Sequence, residues 1–104
     1  MKEKHSEIIK ILTIIRSKIN PDTDVTWTPF DTVEELLNMI DNSIQGVKRK
    51  DKAVINELRY RFAPTATFQE LAMSNGWGDE YLILADRFDE AIKESWLQRL
   101  LSKF

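Results

Sequence analysis

Apolar residues recur at offsets of three and four along most of the chain, and each run is closed by a residue that helices tolerate badly. Ile8, Ile11, Leu12, Ile15 and Ile19 form one helical stripe, and Ile9 and Ile14 widen it. A stripe that broad predicts a first helix covered on more than one side. Asn20-Pro21 ends it, because the residue before a proline is pushed out of the helical region. Pro21 to Phe30 reads as an extended loop that holds Asp22, Asp24, Trp27 and Pro29. Val25-Thr26-Trp27-Thr28 has strand propensity, but two prolines and the lack of a partner strand argue against a sheet.

Asp31 or Thr32 is the expected cap of the second helix, with Glu34 or Glu35 completing a capping box. Val33, Leu36, Leu37, Ile40 and Ile44 make its stripe, and Gly46 is the expected stop. After a short basic turn at Lys48-Arg49-Lys50, Asp51 caps a third helix through Val54, Ile55, Leu58 and Phe62, halted by Ala63-Pro64. Thr67-Phe68-Gln69-Glu70 reads as a second capping box, opening a short fourth helix that closes at Asn75-Gly76. Asp79 then caps a long last helix, in which Tyr81, Ala85, Phe88, Ile92 and Trp96 keep helical spacing. The pattern predicts an all-α fold: residues 1–104 as a single bundle of about five helices, four main and one short, with an extended Pro/Trp loop after the first.

Composition removes much chemistry. A chain of 104 residues with 42% apolar side chains supports one core. It has no cysteine, which excludes thiol nucleophiles, cysteine zinc sites and redox motifs. The single histidine, His5, lies near the chain start, where ends fray unless docked, and is a poor candidate for a catalytic imidazole. Serine and threonine therefore lack a partnering base. Asp86, Glu90 and Glu94 follow one helical face with Asp89 beside them, but a di-metal bundle needs Glu-x-x-His motifs that this chain lacks. A solvated face near Arg87 and Lys93 is the expected reading. No apolar run reaches the ~18 residues of a membrane span, and charges interrupt the first apolar stretch where a signal peptide has a continuous core. No catalytic residue, cofactor or metal is expected, and a cytoplasmic protein that is not an enzyme is.

The formal net charge of −2 is small, but its distribution is uneven. Met1 to Ile19 carries five basic and two acidic residues, Asn20 to Val47 none and six, Lys48 to Phe62 six and two, and Asp79 to Glu94 two and six. Such blocks either pair across neighbouring helices or make a dipolar surface that steers a charged partner; pairing is the expectation.

Asn75-Gly76-Trp77-Gly78-Asp79-Glu80-Tyr81 is the most distinctive run. Glycines on both sides free the backbone to aim Trp77 either into the core or out towards a partner. It is no phosphate cradle, having no lysine and two carboxylates at a helix start. From Thr67 to Arg87, 21 residues in all, the chain resembles a helix-turn-helix: Leu71-Ala72, Gly76 four residues after Ala72, then Leu82 and Ala85. The would-be reading helix offers Asp79, Glu80, Ile83 and Leu84 where DNA readers carry Arg, Lys, Asn or Gln, so packing is the expected use. Lys48, Arg49, Lys50, Lys52, Arg59 and Arg61, with Tyr60 between the last two, raise single-strand binding. Asp51 and Glu57 dilute that segment, and nucleic acid is disfavoured.

Trp96, Leu97, Leu100, Leu101 and Phe104 crowd the last turns and form a candidate self-association face for a homodimer. The functional expectation is a small protein-binding or regulatory domain. Its candidate partner surface is Trp27, Asp22, Asp24, Trp77, Asp79 and Glu80. Small, acidic, helical bacterial immunity proteins are broadly similar in size and charge, without a shared motif. Two alternatives are a nucleic-acid-binding domain using residues 48–61 and a carboxylate-based enzyme.

Overall fold

The computed structural model describes residues 3–101, with side-chain surroundings through Lys93. α1 (Lys4–Ser17) begins at Glu3, whose carboxylate accepts from the backbone N–H groups of His5 and Ser6 at 3.0 and 2.9 Å. These are two of the donors that every helix start leaves without an intrahelical partner. The cap sets the helix going four residues before its first apolar position, so His5 belongs to a capped first turn.

Four further helices follow: α2 (Val33–Lys48), α3 (Lys52–Arg61), α4 (Thr67–Ser74) and α5 (Gly78–Leu101). The fold is all-α, and no strand occurs among the described residues. Ile8, Ile11, Leu12 and Ile15 have no accessible surface, because α1 packs on α2 along one side and on α5 along the other. That is the arrangement its wide stripe calls for. α3 lies on α2, and α4 lies on α5. Leu36, Ile40 and Val47 of α2, Leu58 of α3, and Phe68, Leu71 and Ala72 of α4 complete a continuous core with Tyr81, Leu84 and Phe88 of α5.

One end of this core is aromatic. Phe62 meets Phe68 at 4.8 Å between ring centroids, and stacks on Phe88 at 4.2 Å. The buried Tyr81 hydroxyl donates to the Phe62 carbonyl at 3.2 Å. Burial, and then the charge of Asp89, push the Tyr81 phenol up to about 12, so it remains a donor throughout the neutral range.

Local signals were met in different ways. Thr32 caps α2, accepting from the Glu35 N–H at 3.1 Å, while Glu35 reaches back to the Asp31 N–H at 3.1 Å. Asp51 caps α3 through the Ala53 N–H at 2.9 Å. Gly46, expected to stop α2, lies inside it and is buried. A Cβ there would sit 2.5 Å from Val54 Cγ2, so the residue is small because α3 crosses α2 at that point. The helix ends two residues later in a Schellman turn, with Asp51 N–H on the Gly46 carbonyl (3.0 Å) and Lys50 N–H on the Val47 carbonyl (2.9 Å). Lys50 takes the left-handed position, at φ 59°.

The capping box expected at Thr67 does not form. Thr67 is buried inside the first turn and accepts from Arg61 at 3.3 Å, and Ala66 is the uncapped start of α4. α5 begins at Gly78, which makes Asp79 a first-turn residue and not the cap. Among the described residues no helix is long and apolar enough to cross a membrane.

Candidate functional site

The connection from α1 to α2 is a chain of local turns. Asn20 N–H donates to Thr23 Oγ1 (2.9 Å), Thr26 N–H to the Asp24 carboxylate (2.9 Å), and Thr28 Oγ1 to the Val25 carbonyl (2.8 Å). Val25 and Phe30 are the half-buried feet of the loop, packed against the core, and the Arg61 guanidinium lies 5.3 Å from the Phe30 ring centre. Asn75, at the α4 C-cap, fastens the middle of the loop by accepting from the Asp24 N–H at 2.8 Å and donating to its carbonyl at 2.9 Å. Trp27 stands on this held segment with 69% of its surface exposed.

The same tie places Asp22 and Asp24 beside the α4–α5 turn, from which Asp79 and Glu80 project into solvent. Lys18, at the end of α1, pairs with Glu80. Five of the six residues expected to form a partner surface are therefore exposed, on two segments that Asn75 and Lys18 fasten together.

Trp77 is the exception and is corrected to a core residue. It is 7% exposed and packs edge-on to Tyr81, with its N–H on the Ala72 carbonyl at 3.0 Å in the turn that ends α4. Gly76, at φ 82°, makes that inward aim possible. Its indole Nε1 is buried without a hydrogen-bond partner.

Sequence reasoning missed three exposed apolar side chains on this part of α4 and α5: Met73, Leu82 and Ile83. Gly78 faces Met73 Cγ, and Leu82 follows Gly78 by one helical turn, which puts Met73 and Leu82 on one side. The helix-turn-helix spacing needs Leu82 inside, and here Tyr81, Leu84 and Phe88 are the buried residues. α5 is thus rotated relative to a reading helix of that motif. Trp96, Leu97, Leu100, Leu101 and Phe104 lie outside the residues whose side chains are described.

Several charge blocks do pair across helices. Arg16 grips Asp41 of α2 at 2.6 and 3.2 Å, and Glu7 holds Arg87 of α5 at 2.9 and 3.0 Å. Arg61 turns inward to Glu57 and Thr67, which removes it from the basic face. The rest of the 48–61 segment stands differently. Lys50 in the α2–α3 turn and Lys52, Asn56 and Arg59 along α3 line a cleft of about 850 Å³. Lys4 and His5 from the first turn of α1 and Asp89 and Lys93 from α5 close its rim, over a floor of Ile55, Phe88 and Ile92. The His5 ring is itself held by Glu3 at 2.5 Å. No residue pattern announces this cleft, since its walls come from residues near 4, 52 and 92.

Among the described residues no three His, Asp or Glu side chains gather in a way that would hold a metal ion. Glu3 is held down to about 2 by the His5 N–H, the His5 ring and the Ser6 N–H, in that order. Asp24 and Asp41 are lowered too, the first by Thr26 and the second by Arg16. All three shift away from the direction a general acid needs. A scan of protein-family models and searches of curated proteins and of solved structures find no match to this chain.

Proposed function

We propose that this chain is a non-catalytic helical domain that binds another protein through the end carrying Trp27, Asp22, Asp24, Asp79 and Glu80, in the manner of an inhibitor or immunity-type protein. The observation that carries this reading is an exposed tryptophan on a loop whose backbone is already tied down. Indole rings are frequent hot spots because they bury a large apolar area for two rotatable bonds. A loop ordered before contact loses little further entropy on binding. The exposed carboxylates of Asp22, Asp24, Asp79 and Glu80 favour a partner with a basic rim around an apolar pocket for the indole. A reducing cytoplasm is the compartment that a cysteine-free chain suits, and the last turns of α5 remain the candidate contact for a second copy.

The test is affinity capture from the native cell with the wild-type chain, Trp27→Ala and the distant control Lys10→Glu, each verified as folded by circular dichroism. A protein retained by wild type and Lys10→Glu but lost with Trp27→Ala supports the reading. An identical set retained by all three overturns it.

A further inference from the structure

The cationic cleft lies at the other end of α1 from the Trp27 loop. Lys4 and His5 line it, whereas Lys18 pairs with Glu80, some 20 Å along the helix axis. Five cationic side chains and one carboxylate line the cleft, in a chain whose overall charge is −2. Among the described residues no ion pair engages Lys50, Lys52, Arg59 or Lys93. Four like charges around one concavity repel one another, an arrangement that a bound anion relieves. The helix starts nearby are already partly occupied, Glu3 taking two backbone donors of α1 and Asp51 one of α3.

The floor narrows the ligand class. The floor is Ile55, Ile92 and Phe88, whose ring is stacked on Phe62. Phe62 follows α3 directly as its C-cap, and the cleft opens between Lys52–Arg59 of α3 and Asp89–Lys93 of α5. A volume of about 850 Å³ falls in the roughly 300–1,000 Å³ range of small-molecule sites. Inorganic phosphate would leave the aliphatic floor uncovered. Asn56 offers both a donor and an acceptor, and Asp89 offers acceptors for a hydroxyl or amino group. We propose that this cleft binds a free nucleoside polyphosphate, its phosphates on Lys50, Lys52, Arg59 and Lys93 and its base over Ile55 and Ile92. The site is separate from the Trp27 surface, and neither reading depends on the other.

Calorimetric titration of the full chain at low salt without divalent cations tests it, with adenosine triphosphate, inorganic tripolyphosphate and an oligothymidylate of about eight nucleotides as probes. Lys52 and Arg59 are exposed, so Lys52→Glu and Arg59→Glu leave the fold intact. The expected result is one nucleotide per chain with a Kd below about 1 mM, weakened about tenfold or more by either reversal and less than about twofold by Lys10→Glu. Tripolyphosphate is expected to bind about tenfold more weakly, and the methyl resonances of Ile55 and Ile92 to shift with nucleotide. No saturable nucleotide binding overturns the proposal. Equal losses from Lys10→Glu overturn it as well, since they mark diffuse attraction. Tripolyphosphate binding as tight as nucleotide removes the role of the floor, and oligothymidylate binding without nucleotide binding makes the face a strand-binding surface; either result overturns the assigned class.

Discussion

Asn75 holds Asp24 by both of its backbone polar groups, accepting from its N–H at 2.8 Å and donating to its carbonyl at 2.9 Å across 51 positions of sequence. Its amide also donates to the Leu71 carbonyl at 2.8 Å, so one side chain ends α4 and fastens the loop that carries Trp27. Asn75→Ala is expected to lower stability by about 1–2 kcal/mol. It also raises hydrogen exchange at the Asp24 amide well above the change at α1 core amides. Exchange that rises equally in both places would mean that the loop is held by something other than this pair.

Trp27 contributes little to the fold while it stands 69% exposed. Trp27→Ala is expected to change the unfolding free energy by no more than about 0.5 kcal/mol. Denaturant titration checks this, and a loss above about 2 kcal/mol would show that the indole is a core element.

Gly46→Ala sets two effects against each other. Alanine is the better helix former by about 1 kcal/mol, but its Cβ would lie 2.5 Å from Val54 Cγ2 and 2.9 Å from Val54 Cβ. Val54 is β-branched and cannot swing away, so overpacking prevails and the variant loses about 1–3 kcal/mol. Adding Val54→Ala is expected to recover part of that loss in a double-mutant cycle; strict additivity would refute the contact.

Lys50 and Gly76 occupy equivalent left-handed turn positions, at φ 59° and 82°. Lys50→Gly is expected to stabilise by about 0.5–1 kcal/mol, and Gly76→Ala to destabilise by a similar amount. Melting temperatures moving in opposite directions are the check.

Glu3 binds its proton less readily in the folded chain, where its carboxyl is held to about 2 against an ordinary 4.5. A lowered folded value adds stability that is complete above about 4.5 and lost as pH falls towards about 2. Glu3→Gln is therefore expected to flatten the acid limb of the stability curve in that window and to leave its shape above pH 6 unchanged. Proton titration of Glu3 at an ordinary value would contradict the cap.

Much of the architecture was legible because helix periodicity and stop signals are local. The stripe from Ile8 to Ile15, the caps at Thr32 and Asp51, and the turn at Asn75-Gly76 each depend on residues within one or two helical turns. Gly46 misled for an equally physical reason. A glycine marks either a helix end or a close crossing, and a neighbour 8 positions away, Val54, decides between them. Thr67 misled similarly, because its hydroxyl serves Arg61 from the preceding helix and not its own first turn.

The sequence by itself determined five helices, a central α1, a chain without thiol chemistry, and the residue types available for recognition. Tertiary structure alone decided that Trp77 is inside and Trp27 outside. Both are indoles flanked by turn residues, and what separates them is whether a core lies on the side to which the backbone turns. It also decided that Arg61 faces inward while Lys52 and Arg59 join Lys93 around one cleft. Local spacing cannot show that, because the cleft's walls are brought together by the packing of α1 between α2 and α5.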